Sequence, residues 1–171
     1  SGRTWLCEQR FAPGIRTDPL TKLRSGDTLI GGIGGMSGFA EQVILHRSAA
    51  VVIDPSMPLD RAALIGCAVV TGVGTVINAA RVRPGDTCAV IGCGGVGLNV
   101  VQGAQLAGAG RIIAVDLSSP KLELATRFGA TDIVNPADGD PIEAVMSLTG
   151  GRGVDYAFEA IGLKSTSEQA L

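Results

Sequence analysis

The stretch "AVIGCGGVG", residues 89–97, runs from an apolar segment into glycines spaced Gly92-x-Gly94-x-x-Gly97. Just upstream, "DTCAVIG" alternates as a short apolar strand. Just downstream, "GGVGLNVVQGAQLAGAG" has the period of a helix rich in small residues. "RIIAVD", residues 111–116, is a second strand ending on Asp116, 19 residues after Gly97. Each part of this unit has a physical job. Gly92 allows a tight strand-to-helix turn. Gly94 lets backbone approach a pyrophosphate, and Gly95 and Val96 open the helix. Gly97 lets that helix lie close to the sheet. The helix N-terminus offers unpaired N–H groups and positive potential to phosphates. The Asp116 carboxylate can accept from both ribose hydroxyls and would repel a 2′-phosphate, which favours NAD over NADP. Methyltransferases also place an acid at the end of a second strand, but with a looser glycine loop.

Outward from this unit the alternation continues. "SSPKLELATRFGA" reads as a helix with Ser119 as N-cap and Pro120 in its first turn. "TDIVNP" reads as a strand, "DPIEAVMSLTGGRG" as a helix and "VDYAFEAIG" as a strand. This βαβαβαβ order predicts an α/β fold with a doubly wound parallel sheet. The closing "STSEQAL" reads as the start of a further helix.

Upstream, "PLDRAALIGCAVV" predicts a short helix that breaks at Gly66. "TGVGTVINAARVRPG" predicts a second, with Arg81 and Arg83 in its last turn and Pro84-Gly85 ending it. Earlier still, "DTLIGG" after a Ser-Gly-Asp turn, "FAEQVILH" and "AAVVIDP" read as strands. "GGIGGMSG" is a glycine-dense loop leading into a strand, and so not a dinucleotide fingerprint. Residues 1–24 are irregular. Residues 25–56 look like the end of a small β-domain.

Of the 171 residues, 46% are hydrophobic and 25 are glycine, and aromatics make up 4%, so the core is expected to be packed from small residues. The net charge of −2 favours neither nucleic acid nor an anionic membrane. No apolar run reaches the roughly 18 residues that span a bilayer, and no leader pattern is seen. The four cysteines are Cys7, Cys67, Cys88 and Cys93. Their even number allows disulfides. Cys88 falls in a strand and Cys93 in the glycine loop, in a chain that is neither short nor cysteine-dense. Reduced thiols and a cytoplasmic location are therefore expected.

The stretches "LIGCAVVTGVGTVINAARVRPGDTCAVIGCGGVGLNVVQGAQLAGAGRIIAVDLSSPKLELATRFGATDIVNP" and "GGRGVDYAFEAIG" resemble the zinc-dependent, medium-chain alcohol dehydrogenase family. "GFAEQ" and the "LIGC…TG.G" pattern carry much of that likeness. The resemblance implies a partial Rossmann domain, residues 69–171, preceded by the C-terminal part of a GroES-like catalytic domain, residues 1–68. It implies NAD and zinc as cofactors, an alcohol or aldehyde as substrate, and a homo-oligomer when full length. In that family a catalytic zinc is held by two cysteines and a histidine, with one position open. Cys67 matches the third ligand in chain order. Ahead of a helix, its thiolate would be stabilised by the helix dipole. Cys7, in "SGRTWLCE", matches the fourth ligand of a structural zinc. The other ligands would lie before Ser1. Thr71 and Val96 match positions that touch the nicotinamide, and Lys121 one near the adenosine ribose. Ala160 and Ile161 lie past a strand end where cofactor clefts form. His46, in "VILHRSA", stands outside the family's ligand position. Phe39 is a candidate for the substrate pocket.

The chain is thus expected to be a fragment of such a dehydrogenase, inactive by itself. A zinc-free quinone or enoyl reductase of the same superfamily, or a non-catalytic nucleotide-binding module, are the alternatives. Bulk residues could pack Cys67 into a core instead.

Overall fold

A computed structural model describes residues 24–29, 41–43 and 50–171 of the chain. Two compact units meet at the Pro55–Ser56 bond. In the first, strands β1 (Arg24–Ser25) and β2 (Thr28–Leu29) pair antiparallel. Gly26, at φ 58, takes the positive dihedral that a two-residue hairpin needs. The Ser-Gly-Asp turn is therefore present. Most of the proposed GroES-like portion before residue 50, with Cys7, Phe39 and His46, lies outside the described residues.

Of the strand expected in "FAEQVILH", only residues 41–43 are described, and the rest lies outside the described residues. One strand expectation fails here. Residues 50–54 form no strand. Val51 and Val52 are 85% and 97% exposed. Branched apolar residues suit a pleated surface, but without a neighbouring ladder they gain nothing by extending into one. Among the described residues no strand runs beside them.

The second unit is the alternation read from the sequence. Its order is β3 (Thr87–Ile91), α3 (Gly95–Leu106), β4 (Arg111–Val115), α4 (Ser119–Arg127), β5 (Asp132–Val134), α5 (Pro141–Leu148), β6 (Tyr156–Glu159) and α6 (Lys164–Gln169). The four strands are parallel in the order β5-β4-β3-β6. The chain moves outward from β3 to β5, then crosses to the other side of β3 for β6. That reversal defines a topological switch point between β3 and β6.

Both faces of the sheet are covered, so its strands read as nearly unbroken apolar runs. Cys88, Val90, Ile112, Ala114 and Phe158 face one way, into a core shared with Val100, Val101 and Ala104 of α3 and Leu122 and Ala125 of α4. Ile91, Ile113, Val115 and Val134 face the other way, against Ala144, Val145 and Leu148 of α5.

Before β3 the structure departs from the expected pair of helices. Helices α1 (Leu59–Leu64) and α2 (Val70–Gly74) are joined by a wide π turn, Ile65–Val69, and followed by another, Thr75–Ala80. They form one continuous 22-residue helix, Leu59–Ala80. Glycine in a helix costs about 1 kcal/mol relative to alanine. The docking of this helix on α3 outweighs that at Gly66. The expected absence of an apolar run long enough to span a bilayer fails with it. At mean hydropathy 1.8, this helix has the length and composition to cross one. Its Gly72–Val76 face is nevertheless buried on α3: Gly72 and Val76 are buried, and Val76 belongs to the sheet's core. Arg81 does not sit in the last turn. It follows the helix in the left-handed region, φ 58, and Arg83 lies beyond it, its N–H donating to Asp86 Oδ2 at 2.7 Å.

Candidate dinucleotide site

The glycine loop connects β3 to α3 at the switch point. Gly92 has φ 95, and its N–H donates to Val115 O at 2.8 Å. A Cβ at Gly92 would lie 2.5 Å from Ile161 Cγ1 and 3.2 Å from the Ala160 carbonyl carbon. A Cβ at Gly97 would overlap the Gly92 carbonyl oxygen. Both glycines are thus required by the protein's own backbone.

Gly94 is different. It is the N-cap of α3 with φ −80, open to any residue, and a Cβ there would meet no protein atom within 4 Å. Nothing in the fold excludes a side chain at Gly94, so the empty space beside it is room for a ligand. The first-turn N–H groups of α3 lack intrahelical acceptors and open onto that turn. A phosphate is the group such a helix start holds best.

Asp116 closes the far side of the loop. Its Oδ2 accepts from Cys93 N–H and its Oδ1 from Ser118 N–H, each at 2.8 Å. One carboxylate therefore ties the glycine loop after β3 to the start of α4 after β4. A carboxylate has about four acceptor positions, so two remain for the donors of a ligand. Lys121 Nζ lies 3.7 Å from Asp116 Oδ2, with its side chain half exposed. Helix α4 begins at Ser119 with Ser118 as N-cap, one residue before the expected cap. No side chain caps it. The Asp116 carboxylate instead takes the Ser118 N–H.

Cys93, between the glycines, is buried. Its thiol is pushed up to about 11, first by burial and then by the Asp116 charge. That loop thiol is held neutral and is no nucleophile.

The helix Leu59–Ala80 borders the start of α3. A Cβ at Gly95 would stand 3.9 Å from Ala68 Cβ, and one at Gly72 only 2.7 Å from Val96 O. Cys67 and Thr71, both exposed, thus lie on the helix segment that runs beside the loop. The expected position of Cys67 ahead of a helix is wrong. It is the third residue of the π turn Ile65–Val69, two turns inside the helix, where the N-terminal dipole no longer acts. Among the described residues no three His, Cys, Asp or Glu side chains converge as metal ligands. Those residues therefore do not make a zinc site by themselves.

Across β3, Ala160 N–H donates to Ile91 O at 2.9 Å, and Ile161 is 47% exposed. Glu159, which the sequence pattern did not single out, holds this turn. Its Oε1 accepts from Ile161 N–H at 2.8 Å, Gly162 N–H at 2.9 Å and Thr166 Oγ1 at 2.8 Å. The Gly162 and Ile161 N–H groups, then the Thr166 hydroxyl, hold its carboxyl below the usual range. The acid at a strand end was the available signal, the same one that marked Asp116. A groove of about 530 Å³ lies elsewhere, between the sheet and α5. It is lined by Ala89, Ile91, Val145, Met146 and Ala157 and by no residue of the glycine loop.

The zinc-binding dehydrogenase family matches residues 95–171. A solved alcohol dehydrogenase zinc-binding domain protein of Burkholderia ambifaria is 42% identical over 69% of this chain, with a TM-score of 0.66. The benzyl alcohol dehydrogenase of Acinetobacter calcoaceticus is 37% identical over 70%, at TM-score 0.67. An alcohol dehydrogenase of Thermus sp. ATN1 is 36% identical over 69%, at TM-score 0.64. The matched part spans 32%, 33% and 34% of those three proteins, about a third of each. The parallel sheet with flanking helices is the α/β fold of these relatives, and residues 95–171 belong to the zinc-binding dehydrogenase family.

Proposed function

We propose that the full-length protein is an NAD-dependent, zinc-dependent alcohol dehydrogenase, with residues 69–171 as part of its NAD-binding domain and residues 1–68 as the end of a GroES-like catalytic domain. The observation that carries the cofactor assignment is the space at Gly94. It is kept empty by a glycine that the fold does not need, and it lies between the α3 N-terminus and Asp116. The pyrophosphate would rest on the first-turn N–H groups of α3. The adenosine ribose would donate to Asp116, with Lys121 beside it. The other half of the dinucleotide would cross the switch point between Val96 and the Ala160–Ile161 turn. The bound nicotinamide supplies the hydride chemistry, and the residues named here bind and orient it.

Cys67 would supply one thiolate to a zinc completed by ligands outside the described residues, and Cys7 one to a structural zinc. A soft thiolate suits that metal. Thr71, one helical turn after Cys67, would face the nicotinamide. The substrate is a small-molecule alcohol or aldehyde, and the whole enzyme a homo-oligomer. The described cysteines Cys67, Cys88 and Cys93 are all free thiols, which supports a reducing, cytoplasmic setting. The 171 residues alone are expected to turn over no alcohol. They span about a third of their relatives' length, and the described part brings a single thiol to the proposed zinc.

The test is the zinc content of the purified full-length gene product, with NADH formation from NAD and either ethanol or a bulkier primary alcohol. Bound zinc and alcohol-dependent NADH are expected. NADH binding with no zinc would replace this reading with the zinc-free reductase or the non-catalytic nucleotide-binding module.

A further inference from the structure

The Glu159 carboxylate has no role in the reading above. It is the last residue of β6, at the switch point, and three hydrogen bonds end on one of its oxygens, Oε1. Two come from the backbone of the Ile161–Gly162 turn. The third comes from Thr166 in α6, so the same oxygen fixes the turn to the helix that follows it. The turn in turn sets the wall of the cleft. Ile161 Cγ1 occupies the position next to Gly92 where a Cβ would be, and the Ala160 carbonyl lies behind it. Gly162, at φ 85, takes a left-handed backbone open to glycine, and its N–H donates to that oxygen.

We infer that Glu159 is a positioning residue for the nicotinamide half of the dinucleotide, acting through the Ala160–Gly162 turn that it holds against the glycine loop. This rests on the NAD assignment above. The adenosine half, at Asp116 and α4, lies on the other side of β3 and makes no contact with this turn. Loss of the carboxylate is therefore expected to affect one half of the cofactor and spare the other.

The experiment compares NADH and AMP binding by calorimetry in the full-length protein, for the wild type and for Glu159→Ala, Glu159→Gln and Thr166→Val. The Gln side chain keeps a carbonyl oxygen with two acceptor positions for those donors, so it serves as the rescue. Thr166→Val removes one bond and keeps the shape. Glu159→Ala is expected to weaken NADH roughly tenfold, the scale of lost hydrogen bonds to a charged group, while AMP affinity stays as in the wild type. Glu159→Gln should recover most of the loss, and Thr166→Val should fall between. Equal weakening of NADH and AMP, or unchanged NADH affinity in Glu159→Ala, would overturn the inference. So would an unfolded Glu159→Ala accompanied by a folded Thr166→Val with wild-type NADH affinity. A wild type that binds neither nucleotide would instead overturn the NAD assignment beneath it.

Discussion

Glycine serves two different ends within six residues of the loop. At Gly97 a methyl group would collide with the Gly92 carbonyl, which cannot swing away. At Gly94 a methyl group would project into empty space, at a φ open to alanine. Gly97→Ala is therefore expected to destabilise the chain by about 1–3 kcal/mol, the usual range for overpacking. Gly94→Ala should change stability by no more than about 1 kcal/mol, yet weaken NADH strongly. Thermal melts and NADH titrations on both variants check this, and a Gly94→Ala protein that binds NADH normally contradicts the phosphate cradle. The spacing of these glycines was legible in the sequence. Their separate reasons were not, because one depends on a backbone oxygen across a turn and the other on the absence of atoms. The double commitment of Asp116 was hidden in the same way. Its acid was visible at a strand end, but its donors Cys93 and Ser118 come from two different loops.

The buried thiols give a pH dependence at this scale. Cys88, in the central strand, is raised from 9.0 to about 11, first by burial and then by Asp86 and Asp155, and Cys93 is raised alike. Folded thiols stay protonated above the pH at which unfolded ones ionise. The stability they contribute is whole below 9.0 and is lost as pH rises to about 11. Melting temperature should fall across that window, and the Cys88→Ala, Cys93→Ala double variant should show a shallower fall. An equal fall in both proteins would rule the thiols out as its cause.

At the scale of elements, the helix Leu59–Ala80 shows where periodicity misleads. Gly66, Gly72 and Gly74 look like breaks, and Gly66 was read as one. Gly72 is where the helix approaches α3: a Cβ there would lie 2.5 Å from Asn99 Cβ and 2.8 Å from the Asn99 carbonyl carbon. Gly72→Ala is expected to cost about 1–3 kcal/mol, whereas Gly66→Ala, with nothing within 4 Å, should be neutral or stabilising. Denaturant melts of the two variants separate them, and equal effects would mean that the helix does not dock on α3. The cap expected at Ser119 lies one residue late, because Asp116 reaches the Ser118 N–H and moves the helix start. Asp140, which the sequence pattern did not single out, caps α5 through Ile142 N–H at 2.7 Å and Glu143 N–H at 3.4 Å. Asp140→Ala should cost roughly 0.5–2 kcal/mol of stability, and an unchanged melting temperature would show the cap to be idle.

For the whole second unit, the βαβαβαβ order was readable because each strand is a near-continuous apolar run and each helix carries a distinct period. The sheet order β5-β4-β3-β6 follows from that alternation plus one reversal, which places Asp116 and Glu159 at strand ends on either side of the glycine loop. The position of Cys67 was the least legible feature. Its thiol was visible, but whether it precedes a helix or lies inside one depends on how Gly66 is tolerated. The central claim is that this cleft binds NAD through Asp116. Its most direct test is a calorimetric titration of the protein with NADH and, separately, NADPH, repeated on Asp116→Asn. The account predicts NADH binding in the wild type, with NADPH at least roughly tenfold weaker because its 2′-phosphate meets the Asp116 carboxylate, and a narrowed gap in the variant. Equal affinity for the two nucleotides, or the same preference after Asp116→Asn, would contradict it.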